Sequence, residues 1–302
     1  MFKKQLLTFL SLLMLAIGMK PAVADTILEQ VARTGTLTVG TSFDLVPYAY
    51  VNPDGELVGY SIDIVNLIKE ELQKELGKPI QVNFVESNSI RDTIPKMFTG
   101  EIDMACNAVF TWERDEYVDF TVRYGVSGIR LLTPTGKFNN TDASLAGKKI
   151  GIQPLTFIKS AVQLVHPNAV LVEMESVEAG AEALKTGKID ALAGDVVILD
   201  GIRQQLNPNG YEFYPTLTEN PYARYGVACI IPENNSSFLH IADRSIVRMM
   251  EGYVIKVPEY VQMIDKWIGE NGVISVVKPE DLTDFFQSII VNHEQIPFSN
   301  SK

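Results

Sequence analysis

Apolar positions recur along the chain at two alternating periods, and the switches between them mark the elements. Residues 37–40 alternate as a short strand. Ile64, Leu67, Ile68, Leu72 and Leu76 then share one helical face, with Lys69, Glu70 and Lys74 pointing away. Gly77 and Pro79 end that helix. Residues 80–85 alternate again, a helix covers 90–98, and an apolar run over 102–109 reads as a strand. A short helix over 25–33 precedes the series, residues 42–50 are irregular, and Asn52-Pro53-Asp54-Gly55 is a turn. The order β-α-β-α-β predicts an open α/β sheet covered by helices.

After residue 120 the pattern changes, then restarts. Residues 125–133 form one long apolar run, and 136–146 form a polar linker. Gly147-Lys148-Lys149-Ile150-Gly151 echoes residues 35–40 with one residue fewer. A helix over 156–165, a strand over 169–174 and a helix over 176–185 follow. Residues 186–196 lie without gaps on residues 99–109, with five positions identical: Thr, Gly, Ile, Asp and Val. Two lobes built from one supersecondary unit account for this. Residues 225–232 form the second long apolar run, and helices over 236–253, 258–268 and 279–291 close the chain. The prediction is a two-lobe α/β protein whose lobes are joined by two crossing strands. Residues 25–128 and 226–302 form a discontinuous first lobe and 129–225 the second. Ligands of open α/β sheets sit beyond the carboxyl ends of the strands, so both lobes turn those ends to one cleft.

The N-terminus predicts the compartment. Lys3 and Lys4 precede an apolar run over 6–17, and Ala22-Val23-Ala24 follows. This is the layout of a signal peptide over residues 1–24, cleaved after Ala24, and it implies secretion into the periplasm. The run is shorter than a bilayer-spanning helix requires. A net charge of −11 argues against nucleic-acid partners and anionic lipid surfaces. Cys106 and Cys229, in an exported chain, form either one disulfide or two buried thiols. The sequence has no HExxH, GxSxG or Cys-His pairing, and His166, His240 and His293 are isolated. Neither a cofactor nor a metal is implied.

The chemistry gathers at the polar turn that ends the 102–109 run. Thr111 and Arg114 there offer a hydroxyl, backbone N–H groups and a forked cation, which matches a small carboxylate. The helix beginning at Thr156 points its free N–H groups and dipole at the same cleft, favouring an anion. The repeat places Asp195 at the end of the equivalent strand, where it pairs with an ammonium or caps the following helix. An anion site facing a carboxylate describes the head group of a zwitterionic amino acid. Phe43, Tyr48, Tyr60 and Trp112 are candidates for an apolar wall or for core.

The chain resembles the family-3 periplasmic solute-binding proteins, which deliver amino acids to ABC importers. The resemblance rests on Gly59-Tyr60-Ser61-Ile62-Asp63-Ile64, Thr99-Gly100-Glu101-Ile102-Asp103, Thr111-Trp112-Glu113-Arg114 and Val118-Asp119-Phe120-Thr121, in that order. Glutamate/aspartate-binding members are the nearest in appearance, through Val58-Gly59-Tyr60-Ser61, Arg130-Leu131-Leu132-Thr133 and Cys106. The resemblance implies a type II two-lobe fold, a membrane ABC permease as partner, and a monomer without enzymatic activity. It assigns Thr111 and Arg114 to the ligand carboxylate, with backbone N–H groups near Leu155 and Thr156 assisting, and it maps further backbone groups near Asn107 and Val109. It assigns Asp195 to the ligand ammonium and Tyr60 to an aromatic wall.

The side-chain-reading positions depart from the family. Glutamate/aspartate binders carry arginines where this chain has Ser42 and Thr93. Basic-amino-acid and glutamine binders carry an Asp at the position of Ser42. Arg91 is two residues from Thr93, on another helical face. The expected ligand is therefore polar and neutral, or acidic. Two alternatives use the same fold: a periplasmic enzyme resembling cyclohexadienyl dehydratase, and a stand-alone ligand-sensing module.

Overall fold

The computed structural model describes residues 25–139, 141–153, 156–269, 272–274 and 276–294. The expected signal segment 1–24 and Leu155 lie outside them, as does the side chain of Thr156.

Helix α1 (Ile27–Thr34) opens on a capping box between Thr26 and Glu29, each accepting from the other's backbone N–H. Strand β1 (Thr36–Thr41) leads to a small antiparallel sheet of β2 (Asp44–Leu45), β3 (Ala49–Val51) and β4 (Leu57–Val58). This sheet occupies the stretch expected to be irregular. Its strands are only two or three residues long, too short to alternate visibly. Helix α2 (Tyr60–Leu76), strand β5 (Gln81–Glu86), helix α3 (Ile90–Phe98) and strand β6 (Met104–Val109) follow. Both β5 and β6 pair parallel with β1, so all three carboxyl ends point the same way.

Short α4 (Trp112–Asp115) and β7 (Val118–Phe120) lead into the long strand β8 (Gly125–Pro134). The second unit comprises α5 (Asp142–Leu145), β9 (Lys149–Ile152), α6 (Thr156–Val165), β10 (Val170–Glu173), α7 (Val177–Lys185) and β11 (Ala191–Asp195). Helix α8 (Val196–Leu206), β12 (Tyr211–Tyr214) and the long strand β13 (Ala223–Pro232) come next. Helices α9 (Ser236–Val254), α10 (Pro258–Asp265) and α11 (Pro279–Glu294) complete the chain. Strand β12 was not expected from the sequence. It pairs along β8 from Pro134 to Leu131 and covers that strand's outer edge.

The strand order is β10-β9-β11-β8-β13-β6-β1-β5. Residues 125–129 of β8 pair antiparallel with residues 223–227 of β13. Beyond that zone β8 pairs with β11 in one half and β13 with β6 and β7 in the other. The two long strands thus cross between two halves of the fold, as the bracketed repeat predicts. One apolar cluster, with Ile129, Ile150 and Val162, lies within the second half, and a larger one runs from Leu37, Ile68 and Met249 in the first half to Leu192 and Leu199 in the second. Full burial of such a side chain contributes about 1.5–3 kcal/mol.

The structure explains the repeat residue by residue. Asp103 Oδ2 accepts from Thr38 N at 2.7 Å, and Asp190 Oδ2 accepts from Lys149 N at 3.0 Å. Both aspartates pin the start of the neighbouring parallel strand in the same way. Gly100 and Gly187 both take φ +72° in the turn before them, a conformation costly to any residue with a Cβ.

Cys106 of β6 and Cys229 of β13 are joined in a disulfide that closes a separation of 123 residues. The bridge lies at a register shift between the two strands. Cross-linking over so long a loop restricts the unfolded chain strongly. The double variant Cys106→Ser with Cys229→Ser is expected to lose about 2–3 kcal/mol of stability. Chemical denaturation of the oxidised protein and the variant measures this, and equal midpoints would refute it.

Candidate functional site

A cavity of about 540 Å³ lies where the carboxyl ends of the two halves meet. Of the expected residues it brings together Ser42, Thr93, Asn107, Val109 and Arg114 from one half with Asp195 from the other. Tyr48, Phe157 and Tyr225 line it as well.

Arg114 stands in the short helix α4, whose first turn is capped by Thr111: Oγ1 accepts from Arg114 N at 3.3 Å. One guanidinium nitrogen, Nη1, donates to Val109 O at 2.6 Å. This bond holds the fork against the end of β6 and leaves its other donors for a ligand. Burial pulls the guanidinium pKa down, and Glu113 nearby opposes that shift. Arginine nonetheless stays charged at any working pH. Thr111 itself is not among the lining residues; its place is behind Arg114 as a cap.

Asn107 takes φ +71°, a left-handed conformation that asparagine tolerates better than most residues. Its N–H donates to Tyr124 OH at 3.0 Å, and its Oδ1 accepts from Ser61 Oγ and from Tyr124 OH. It lines the cavity with its N–H already engaged. Of the backbone groups expected near Asn107, this N–H is engaged by Tyr124.

Asp195 occupies the end of β11 and is also the N-cap of α8. Its Oδ1 accepts from Val197 N at 2.8 Å, Ile198 N at 3.2 Å and Ser127 Oγ at 2.6 Å. Among the described residues Oδ2 accepts from Tyr225 OH alone, at 2.5 Å, and a carboxylate oxygen has room for a further donor. Burial raises the carboxyl pKa above its usual value, while the Ser127, Tyr225 and backbone hydrogen bonds pull it back down. The two sequence readings of Asp195, cap and cleft residue, hold together in one side chain.

Tyr60 is not a wall of the cavity. It is fully buried at the start of α2, packs edge-on against Tyr124 and donates its hydroxyl to Tyr124 O at 2.7 Å. The wall is Tyr48. Tyr60 N donates to Pro47 O and Ser61 N to Tyr48 O, both at 2.9 Å, so the first turn of α2 holds the Tyr48 loop. Gly59 permits this approach: a Cβ there would lie 2.1 Å from Tyr48 O. Tyr60→Phe is expected to cost about 1–2 kcal/mol by orphaning the buried Tyr124 carbonyl, without changing ligand affinity. Paired melting and titration experiments check both halves; an affinity loss with intact stability would return Tyr60 to the site.

Ser42 and Thr93 line the cavity with their hydroxyls engaged, Ser42 near Asp44 and Asn88, and Thr93 donating to Ser89 O at 2.8 Å. Trp112 is 78% exposed, outside the lining. Helix α6 begins at Thr156, with Phe157 and Ile158 in the lining. Sequence reasoning missed Tyr225, Ser127, Asp44, Asn88, Glu175 and Glu178. A usable signal existed only for Ser127 and Tyr225, which are polar groups inside the two long apolar runs. No group of three or more His, Cys, Asp or Glu able to hold a metal occurs among the described residues.

Residues 37–270 match the model of the bacterial extracellular solute-binding proteins, family 3. The chain belongs to this family. Similar curated proteins are amino-acid binders. The glutamate/aspartate import solute-binding protein of Escherichia coli (strain K12) is 25% identical over 254 residues, covering 82% of this chain and 80% of its own. The glutamine-binding protein of Geobacillus stearothermophilus is 32% identical over 201 residues, 65% of this chain and 74% of its own. Among solved structures, an amino acid ABC transporter substrate-binding protein from Streptococcus pneumoniae, bound to L-arginine, superposes with TM-score 0.66 at 22% identity. It covers 80% of this chain and 97% of that one, and it shares the fold. The architecture is thus the two-lobe type II fold of family-3 binding proteins.

Proposed function

We propose that this chain captures an amino acid between its lobes and delivers it to the permease of an ABC transporter. The observation that carries the reading is Arg114 and Asp195 lining one cavity from opposite halves of the fold. A carboxylate on the Arg114 fork and an ammonium on Asp195 Oδ2 would engage both charges of one zwitterion. Thr111 supports Arg114 as its cap, and the first N–H groups of α6, at Thr156, add positive potential from the other lobe. Membership of family 3 and the names of the relatives agree with this role.

Residues 25–128 with 226–302 act as one lobe and 129–225 as the other, closing about β8 and β13. Residues 1–24 direct export to the periplasm and are removed there, and the mature chain works as a monomer. Transport fits better than catalysis because Asp195, the buried carboxylate of the cavity, accepts four hydrogen bonds. Those hydrogen bonds offset part of the rise that burial causes and aim the carboxylate as an acceptor, which suits a cation receptor.

Thermal denaturation of the purified protein with each common amino acid tests the proposal. At least one is expected to raise the melting temperature in a concentration-dependent way. No shift with any of them, at millimolar concentration, would sink it.

A further inference from the structure

The wall of the cavity around Ser42 is short of hydrogen-bond donors. Ser42 Oγ lies 2.5 Å from Asp44 Oδ1 and 3.0 Å from Asn88 Oδ1, and its one proton can serve only one of them. Asn88 cannot offer its amide hydrogens by turning over, because Nδ2 already donates to Glu86 Oε1 at 3.1 Å. Thr93 spends its proton on Ser89 O, and the Ser87 hydroxyl faces Asp92 and Thr93. This wall therefore presents acceptors.

Charge points the same way. With Arg114 and Asp195 assigned to the head group, the remaining lining charges are Asp44, Glu175 and Glu178 against Arg91. Glu175 and Glu178 flank the start of α7, on the lobe opposite Asp44. An independent feature also asks for a ligand. Tyr48 lines the same cavity, is only 2% exposed, and carries a buried hydroxyl with no hydrogen-bond partner among the described residues. Burying a hydroxyl unpaired is costly, and a ligand donor or acceptor that reached it would relieve that cost.

We propose that the cavity takes an amino acid whose side chain is cationic, a guanidinium or an ammonium. Asp44, Ser42 and Asn88 receive it on one wall, and Glu175 and Glu178 supply the balancing field on the other. The inference rests on the amino-acid-binding reading above and narrows its ligand class away from the acidic side chain. Arg91, exposed on the first turn of α3, lines the same cavity and, among the described residues, is the one basic group beside these three carboxylates once Arg114 is assigned.

Calorimetric titration of the purified protein with arginine, lysine, ornithine, glutamine, glutamate and aspartate tests this. A cationic ligand is expected to bind at least about tenfold more tightly than the acidic and neutral ones. Asp44→Asn, a change at an exposed position, is expected to leave the ligand-free melting temperature unchanged and to weaken the cationic ligand about tenfold. Tightest binding of glutamate or aspartate, abolished by Arg91→Ala, overturns the cationic assignment and leaves amino-acid binding standing. Tightest binding of glutamine, unaffected by Asp44→Asn, also overturns it. Binding of none of the six, with no response to any other amino acid, removes the amino-acid reading itself.

Discussion

Arg114→Ala is expected to abolish ligand-dependent stabilisation while leaving the ligand-free fold nearly intact. Among the described residues the guanidinium makes one hydrogen bond, from Nη1 to Val109 O. The loss of such a bond, partly replaceable by water, costs about 1 kcal/mol. Arg114 lines the cavity, where its other donors would meet a carboxylate in a partly desolvated, charge-assisted pair. Removing one partner of such a pair in a binding site costs about 2–5 kcal/mol. We expect about 4 kcal/mol here, or roughly a thousandfold in affinity. Calorimetry and paired melting curves with and without the responding amino acid measure both sides. Full ligand-induced stabilisation in the variant would move the carboxylate site elsewhere.

Asp195→Asn is expected to produce two separable losses. The amide keeps the shape and one acceptor, so the cap of α8 weakens by about 1 kcal/mol. Its charge is gone, so an ammonium ligand loses its counter-ion next to Tyr225 and Ser127. That loss is expected to reach about 3 kcal/mol, over a hundredfold in affinity. The same carboxylate predicts a pH dependence. Burial raises its folded-state pKa above 3.8. As pH falls through that raised value, protonation removes the charge that binds the ligand, so affinity falls with it. The ligand-free protein moves the other way at this residue. Because the folded pKa exceeds the unfolded one, Asp195 contributes more to stability as pH falls between the two. The ligand-induced shift in melting temperature should therefore shrink on acidification in the wild type. In Asp195→Asn the Asp195 part of that pH dependence should be absent, and an identical pH profile in both proteins would assign the effect to another group.

The fold was legible where one residue does the same job twice. Asp103 and Asp190 pin parallel strands, and Gly100 and Gly187 make the same left-handed turn, so the repeat appears in the sequence without gaps. Strand β12 was not legible, because its four residues become a strand only through the edge of β8. The head-group candidates Arg114 and Asp195 were legible because a strand end can be located from an apolar run and from the repeat. Tyr60 was misplaced for a tertiary reason. An aromatic at the head of a helix reads alike whether it faces a cleft or the core, and only the contact with Tyr124 decides. Asn107 carried no sign of its left-handed backbone. Nothing in the sequence singled out Asp44, Glu175 and Glu178, which the two halves of the fold set around one cavity.

The head-first clamp between Arg114 and Asp195 is tested most directly by titrating the responding amino acid beside two of its derivatives. One lacks the α-carboxylate, as the corresponding amine does; the other has its α-amino group acetylated. Each derivative keeps the side chain and removes one charge of the head group. Both are expected to bind at least about a hundredfold more weakly than the parent, through loss of the Arg114 and Asp195 contacts respectively. Parent-like affinity for either derivative would contradict the clamp.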